Sequence, residues 1–175
     1  MWQSLRAGSD VAPMIASVSA STAAETHPLN DEHAGELLTL QRAAYVTEAQ
    51  LYGDPFLPAL TQTLDEVRHE LRHPALGVTE DGRLIAAVRW TVDGAVAHIG
   101  RLVVAPDQQG RGLGTTLLRA AEAASGADSF ELFTGHLSAA NIRLYEREGY
   151  REFRREALQP GVELVFLRKD ASAAS

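Results

Sequence analysis

The chain reads as a mixed α/β sheet with helices on both faces, and three observations carry that reading. Two Asp-Gly pairs, Asp81-Gly82 and Asp93-Gly94, each sit between strand-like runs, and Asp-Gly favours hairpin turns because it tolerates positive φ at both central residues. The β-branched run "RLVV" passes through a glycine-rich turn into a Leu/Ala-rich segment and then into "SFELFT". That order, strand, helix, strand, is the order of a parallel crossover. Helical segments precede the strands and another follows the crossover, so the sheet has helices to cover both of its faces.

The elements follow in order. Asn30 is placed to cap a helix, with Asp31 and Glu32 near the positive end of its dipole. Leu37, Leu38, Gln41, Ala44 and Tyr45 then trace a helical stripe. The run "LYGDPFLPAL", Leu51 to Leu60, is expected not to continue this helix, because Gly53, Pro55 and Pro58 interrupt it. Thr63 and Glu66 form a capping box that opens a short second helix, and Pro74 stops it. Leu76–Glu80, Arg83–Val92 and Ala95–Ala105 are expected to form an antiparallel meander. A helix from about Gly112 to Ser125 leads to a strand at Ser129–Thr134, and a further helix spans Ser138–Glu148. Two last strands, "YREFRREAL" and "VELVFLRK", join at Pro160-Gly161.

A chain of 175 residues is one domain's worth. Residues 25–170 are assigned to that domain, 1–24 to a flexible leader and 171–175 to a frayed tail. Pro13, Asp10 and several serines interrupt "VAPMIASVSASTAA", so it makes a poor secretory signal. A net charge of −7 argues against nucleic acid or an anionic membrane as the main partner. No apolar run reaches the length of a membrane span. With no cysteine, disulfides, thiolate metal sites and Cys nucleophiles are excluded, and a cytoplasmic setting suits the chain. His69 and His73 have i, i+4 spacing but neither the zincin order nor a third ligand, so no metal is expected.

The chemistry concentrates at Gly110, Gly112 and Gly114, where a strand turns into a helix. Residues without Cβ let the backbone curl until several N–H groups point at one spot, and the following helix adds positive potential there. The product is an anion site, suited to phosphate. A tight turn with no ligand is the plainer alternative. The dinucleotide fingerprint fails because Thr115 stands where its last glycine belongs, and a Walker loop fails because no Lys follows Gly114.

Gln109-Gly110-Arg111-Gly112-Leu113-Gly114 has the form Gln/Arg-x-x-Gly-x-Gly/Ala. Together with "LVVAP" before it and "NIRLYEREGY" after it, this resembles the acetyl-CoA-binding signature of the GNAT N-acetyltransferase superfamily. The resemblance covers about Asn30 to Lys169 and implies a mostly antiparallel sheet with a central, splayed parallel pair. It implies that residues 110–115 hold the pyrophosphate of coenzyme A, with Gln109 and Thr115 at the ends of that loop. It also implies that the pantetheine arm lies along Leu102, Val103 and Val104 as a substitute strand. Acetyl-CoA is the acyl donor in this reading, and no metal takes part.

Tyr145 occupies the family's general-acid position, although residue type alone fits a core tyrosine. Many members carry Asn seven residues before this Tyr. Here Ser138 stands there and Asn141 lies four before, so the cofactor contact is carried to Asn141 and Ser138, the latter also a plain helix cap. His98 stands where some relatives place a Glu base, and an exposed strand His without a role fits equally well. Glu131 is a weaker candidate for the base. The acceptor amine is expected over Tyr45, Tyr52, Asp54 and Phe56, with Arg89 on the meander beside them; all could instead serve local packing. The expected partners are acetyl-CoA and a primary amine, with a homodimer as the self-association considered. A non-catalytic acyl-CoA-binding module and a simple nucleotide-phosphate binder are the rival readings.

Overall fold

The computed structural model describes residues 24–171. The leader and tail expectations fall on residues 1–23 and 172–175, outside the described residues. The elements are β1 (His27–Pro28), α1 (Ala34–Tyr52), α2 (Pro58–Thr61), α3 (Leu64–Glu70), β2 (Ala75–Glu80), β3 (Arg83–Asp93), β4 (Val96–Val104), α4 (Leu113–Ser125), β5 (Ser129–Gly135), α5 (Ala139–Arg147), β6 (Arg151–Gln159) and β7 (Val162–Asp170). The strands form one sheet in the order β1-β2-β3-β4-β5-β7-β6, antiparallel throughout except for β4 and β5.

Local chemistry sets most boundaries where expected. The Asn30 side chain accepts the Glu32 N–H, and Thr63 and Glu66 close a reciprocal capping box on α3. α1 runs to Tyr52, so the residue that ends it is Gly53, left-handed at φ 63°, and the prolines act only beyond it. Pro58 instead opens the unexpected α2, since a proline in the first turn forfeits no helical hydrogen bond. Asp81 and Gly82 both take positive φ, as the hairpin reading requires; at the second turn only Gly94 does.

Two apolar layers flank the sheet. On one face Leu113, Leu117, Leu118 and Ala121 of α4 and Tyr145 of α5 pack against Ile85, Val88, Ile99, Phe130 and Leu167. On the other face Leu37, Leu38 and Leu40 of α1 and Val67 of α3 cover Leu84, Ala87 and Val103. No helix among the described residues is long and apolar enough to cross a membrane.

The central parallel pair is short. β4 and β5 pair only at Val96–Ser129, Ala97–Phe130 and His98–Glu131. β4 then bulges: Arg89 pairs Gly100 and Ala87 pairs Val103, so Arg101 and Leu102 together oppose Val88, and Arg101 takes φ 49°. β5 meanwhile stays with β7 as far as Gly135–Leu164. The strands part and a wedge opens between them.

Tyr52, at the end of α1, reaches into this region only because residue 135 is glycine. A Cβ there would lie 2.0 Å from the Tyr52 hydroxyl oxygen. Gly135→Ala is therefore expected to destabilise the fold by about 1–3 kcal/mol, the usual range for overpacking. The double change Gly135→Ala with Tyr52→Ala should cost less than the sum of the singles, as read from denaturant midpoints. Additive costs would show that the two residues do not meet.

Candidate active site

The glycine loop is built to present backbone. Gly110 and Gly112 each take φ 78°, and a Cβ added at either meets nothing within 4 Å. The first N–H bonded back into α4 is that of Thr116, which donates to the Gly112 carbonyl at 3.0 Å. The N–H groups of residues 109–115 thus find no acceptor among the described residues, and those of Leu113–Thr115 lie in the first turn of α4, at its positive end. Leu113 is buried, so only its backbone serves the loop. Gly114 does a different job from the other two glycines: its missing Cβ would sit 3.3 Å from the Leu144 side chain, so it lets α4 and α5 approach.

Two fork-on-fork ion pairs pin the loop to the β2–β3 hairpin. Arg83 grips Asp107 through two bonds of 2.7 Å, and Arg111 grips Glu80 through two bonds of 2.8 Å. Arg83 holds the Asp107 carboxyl well below the usual carboxylate range, and Arg111 lowers Glu80. Arg111, expected to face a phosphate, is engaged by Glu80 instead. Both partners are half-exposed, so the pair can exchange for a stronger anion at small cost.

The wedge between β4 and β5 is the second part of the site. Ala105 N–H donates to the Ile85 carbonyl at 2.8 Å, which makes Ala87–Val103 the next hydrogen-bonded pair and leaves Ala86–Val104 as a non-bonded one. The Val104 backbone therefore faces the wedge. Val103 is corrected: its backbone belongs to β3 and its side chain is buried beneath α1. Leu102, in the bulge, is half-buried against α4.

On α1, Tyr45, Glu48 and Tyr52 continue at helical spacing from the fully buried Gln41, which bonds Ala59, Gln62 and Arg89. Ser138 Oγ donates to Glu48 at 2.6 Å. Asn141 Nδ2 lies 3.5 Å from Glu48 Oε1 and 3.4 Å from Thr134 Oγ1. The Tyr52 hydroxyl accepts the Leu137 N–H at 2.9 Å and sits 3.0 Å from Ser138 Oγ. Ser138 occupies the cap position of α5, yet its side chain makes no capping bond. Tyr145 is buried, 7% exposed, and its hydroxyl is pushed up, first by burial and then by nearby Tyr45 and Glu48.

Of the remaining candidates, His98 and Arg89 lie on the sheet face that α1 covers, and Asp54 and Phe56 follow the end of α1. His98 points to the face opposite Ala97 and Ile99, which pack in the core with Tyr145. Its Nδ1 lies 3.7 Å from Glu131, which also pairs with Arg168 at 3.2 Å. Arg89 is corrected from acceptor surface to interior: it is 6% exposed, 2.6 Å from Glu70, and bonded to Gln41 under α1. Asp54 accepts the Phe56 N–H at 2.8 Å and so shapes its own turn, while Phe56 is 76% exposed. Arg101 lies over the Tyr45 ring, 5.8 Å from its centroid. Beside Arg101 a cleft of about 580 Å³ is lined by Gln62, Glu66, His69 and Glu70. Among the described residues no group of three potential ligands could hold a metal.

Sequence reading passed over Glu48. Its signal was the polar residues Gln41 and Glu48 on the stripe that in a purely structural helix would be apolar.

The acetyltransferase (GNAT) family model matches residues 36–150 of the 175, from the first turn of α1 to Tyr150. The chain belongs to this family. A curated relative, the UPF0157 protein YqkA of Bacillus subtilis, is 28% identical over 120 residues. That match takes in 68% of this chain and spans about a third, 35%, of the relative's length. Among solved structures, the PaiA N-acetyltransferase of Thermoplasma acidophilum in complex with coenzyme A is similar with a TM-score of 0.72 at 17% identity, covering 85% of this chain and 99% of that one. The ribosomal-protein-S18-alanine N-acetyltransferase of Escherichia coli is similar with a TM-score of 0.70 at 19% identity, covering 86% and 96%. At such identities these likenesses show the fold alone.

The loop geometry yields a test. Gly112→Glu places a side chain and a negative charge on the concave face, so coenzyme A affinity should fall by at least about 100-fold in calorimetry, roughly 2.7 kcal/mol. Gly112→Ala separates the charge from the backbone strain of a left-handed residue and should lose much less. Equal losses from the two variants would assign the glycine to the turn alone.

Proposed function

We propose that the protein is an acetyl-CoA-dependent N-acetyltransferase that moves the acetyl group to a primary amine by direct attack. The observation that carries this is the juxtaposition of an open glycine loop at the head of α4 with a β4–β5 pair that opens after His98 and Glu131. The loop N–H groups of residues 109–115 take the pyrophosphate, and Gly110 and Gly112 allow its close approach. The amides of the pantetheine arm replace the missing strand and pair with the Val104 backbone. A backbone N–H at this edge polarises the thioester carbonyl as negative charge develops on it.

The chemistry then needs one C–N bond formed, one C–S bond broken, and a proton for the departing thiolate. Tyr145 supplies that proton. Burial keeps the phenol protonated, so the donor form is present throughout the neutral range. As the amine nitrogen loses its proton on collapse of the adduct, that proton restores the phenol and the amide is left neutral. Asn141 and Ser138 stand beside this centre and hold its α1 wall in place through Glu48. His98 is not assigned a step. Acetyl-CoA is made and kept inside cells, so we assign the protein to the cytoplasm.

Acetyl-CoA should raise the melting temperature by mass action, and ADP, which lacks the pantetheine arm, should do much less. Equal shifts would favour a nucleotide-phosphate binder. A shift with acetyl-CoA but no turnover on any amine would favour a non-catalytic acyl-CoA module.

Tyr145→Phe keeps the ring and removes the proton donor. Turnover should fall by about 10²-fold, within the range for a lost general acid, while acetyl-CoA affinity changes by less than about twofold. Because the folded-state proton is held more tightly than in a free phenol, any alkaline limb due to Tyr145 should lie above pH 10. An alkaline limb below that value that vanishes in the Phe variant would contradict the assignment.

A further inference from the structure

We propose that Arg101 selects the acceptor: its guanidinium binds a carboxylate carried by a small primary amine, so that the protein acetylates an amino acid in the broad sense, α or ω. The inference rests on the acetyltransferase reading above and names its substrate class.

The cleft beside Arg101 holds one uncompensated charge. Of the acids lining it, Asp65 pairs with Arg68 at 3.2 Å, Glu66 closes the capping box with Thr63, and Glu70 faces Arg89 at 2.6 Å. Each carboxylate is engaged. Arg101 is half-buried and makes no ion pair among the described residues. Its guanidinium lies over the Tyr45 ring instead, 5.8 Å from the centroid. A ring face is a weaker partner than an anion, and a guanidinium can keep the ring on its face while its edge grips a carboxylate through two parallel bonds.

The surroundings favour an anion at this point. Burial pushes the Arg89 guanidinium down, Glu70 draws it back up, and the Arg101 charge pushes it down again. The two arginines therefore repel one another, and a carboxylate on Arg101 relieves both. Gly100 pairs with Arg89 and precedes Arg101, and a Cβ there meets nothing within 4 Å, so the sheet surface beside them is open.

Position and charge then select the ligand. After burial, Tyr45 is the group that bears most on the Tyr145 hydroxyl, and Arg101 lies over that same ring, so one ring separates the guanidinium from the proposed proton donor. A cleft of about 580 Å³ suits a small molecule. A phosphate brings a second negative charge towards Asp65, Glu66 and Glu70, whereas a carboxylate balances the single guanidinium. The carboxylate is a spectator: the amine forms the C–N bond and the C–S bond breaks as already described.

The test compares the full chain with Arg101→Gln and Arg101→Lys at saturating acetyl-CoA. The acceptors are straight-chain amino acids from glycine to 6-aminohexanoate and the carboxamide of each. Gln removes the charge and Lys keeps it without the fork, and all three side chains share the same left-handed backbone. The unaltered protein should prefer at least one acid over its carboxamide. Arg101→Gln should lower kcat/KM on that acid by about 10- to 100-fold, chiefly through KM, the range for a hydrogen bond to a charged group, and on its carboxamide by less than about threefold. Arg101→Lys should recover part of the loss. Each variant is compared on the same acceptor, so differences in amine basicity cancel. Acetyl-CoA affinity and melting temperature should hold throughout. No preference for any acid over its carboxamide, equal losses on both, no loss on either, or a fall in acetyl-CoA affinity would overturn the proposal, leaving Arg101 as a brace on Tyr45. Transfer to an alkyldiamine but to none of the acids would overturn it too, with the acetyltransferase reading intact. Acetyl-CoA binding without transfer to any of these amines would instead overturn that reading itself.

Discussion

Everything functional in this fold depends on β4 and β5 ceasing to pair after His98 and Glu131. A sheet that stays closed satisfies its own backbone and has nothing to offer a ligand. The bulge at Arg101 and Leu102 turns β4 away, and Arg101 holds a left-handed conformation that costs a non-glycine residue roughly 1–2 kcal/mol. The surrounding β3 ladder fixes the bulge from both sides, and the guanidinium lies over Tyr45. Strain held at a strand opening is what a binding cleft requires, since the unpaired edge waits for an amide-bearing ligand.

The site is polarised along the wedge. At one end the helix dipole and the free N–H groups of residues 109–115 favour anions, and Arg83–Asp107 and Arg111–Glu80 fix that loop to the neighbouring hairpin. At the other end Glu48 brings negative charge against Tyr145. In the proposed function, a donor that carries phosphates at one extremity and a thioester at the other would fit this gradient in only one direction, so the arrangement would orient it as well as bind it.

α1 serves both the core and the site, and its composition changes along its length to do so. Leu37, Leu38 and Leu40 bury against β3 and α3 and Tyr45 packs at the edge of that layer, whereas Glu48 and Tyr52 reach Ser138 at the head of α5. The same transition explains the buried network of Arg89, Gln41, Gln62 and Glu70, which carries the polar character of the site down between α1, α3 and β3. Burying a guanidinium is tolerable there because a carboxylate and an amide meet it.

The sequence by itself determined the local events. Capping by Asn30 and Thr63, the positive-φ turn at Asp81-Gly82, the termination at Gly53 and the curled backbone at Gly110 and Gly112 depend on residues within a few positions of one another. Those local rules also placed the anion loop and its order between strand and helix. Only the tertiary structure decided which side chains share the wedge. Glu48 lies 90 residues from Ser138, and neither residue's neighbours reveal the other. Arg89 sits on a strand whose burial depends on where α1 and α3 come to rest, and alternation puts His98 on that same α1 face, opposite Ala97 and Ile99. Gly114 and Gly135 look like loop glycines in the sequence, yet their work is to admit Leu144 and Tyr52, contacts that exist only once helices and sheet have packed. Pairing across long separations is set by the sum of many burial and hydrogen-bonding terms, and no short stretch of chain carries that sum.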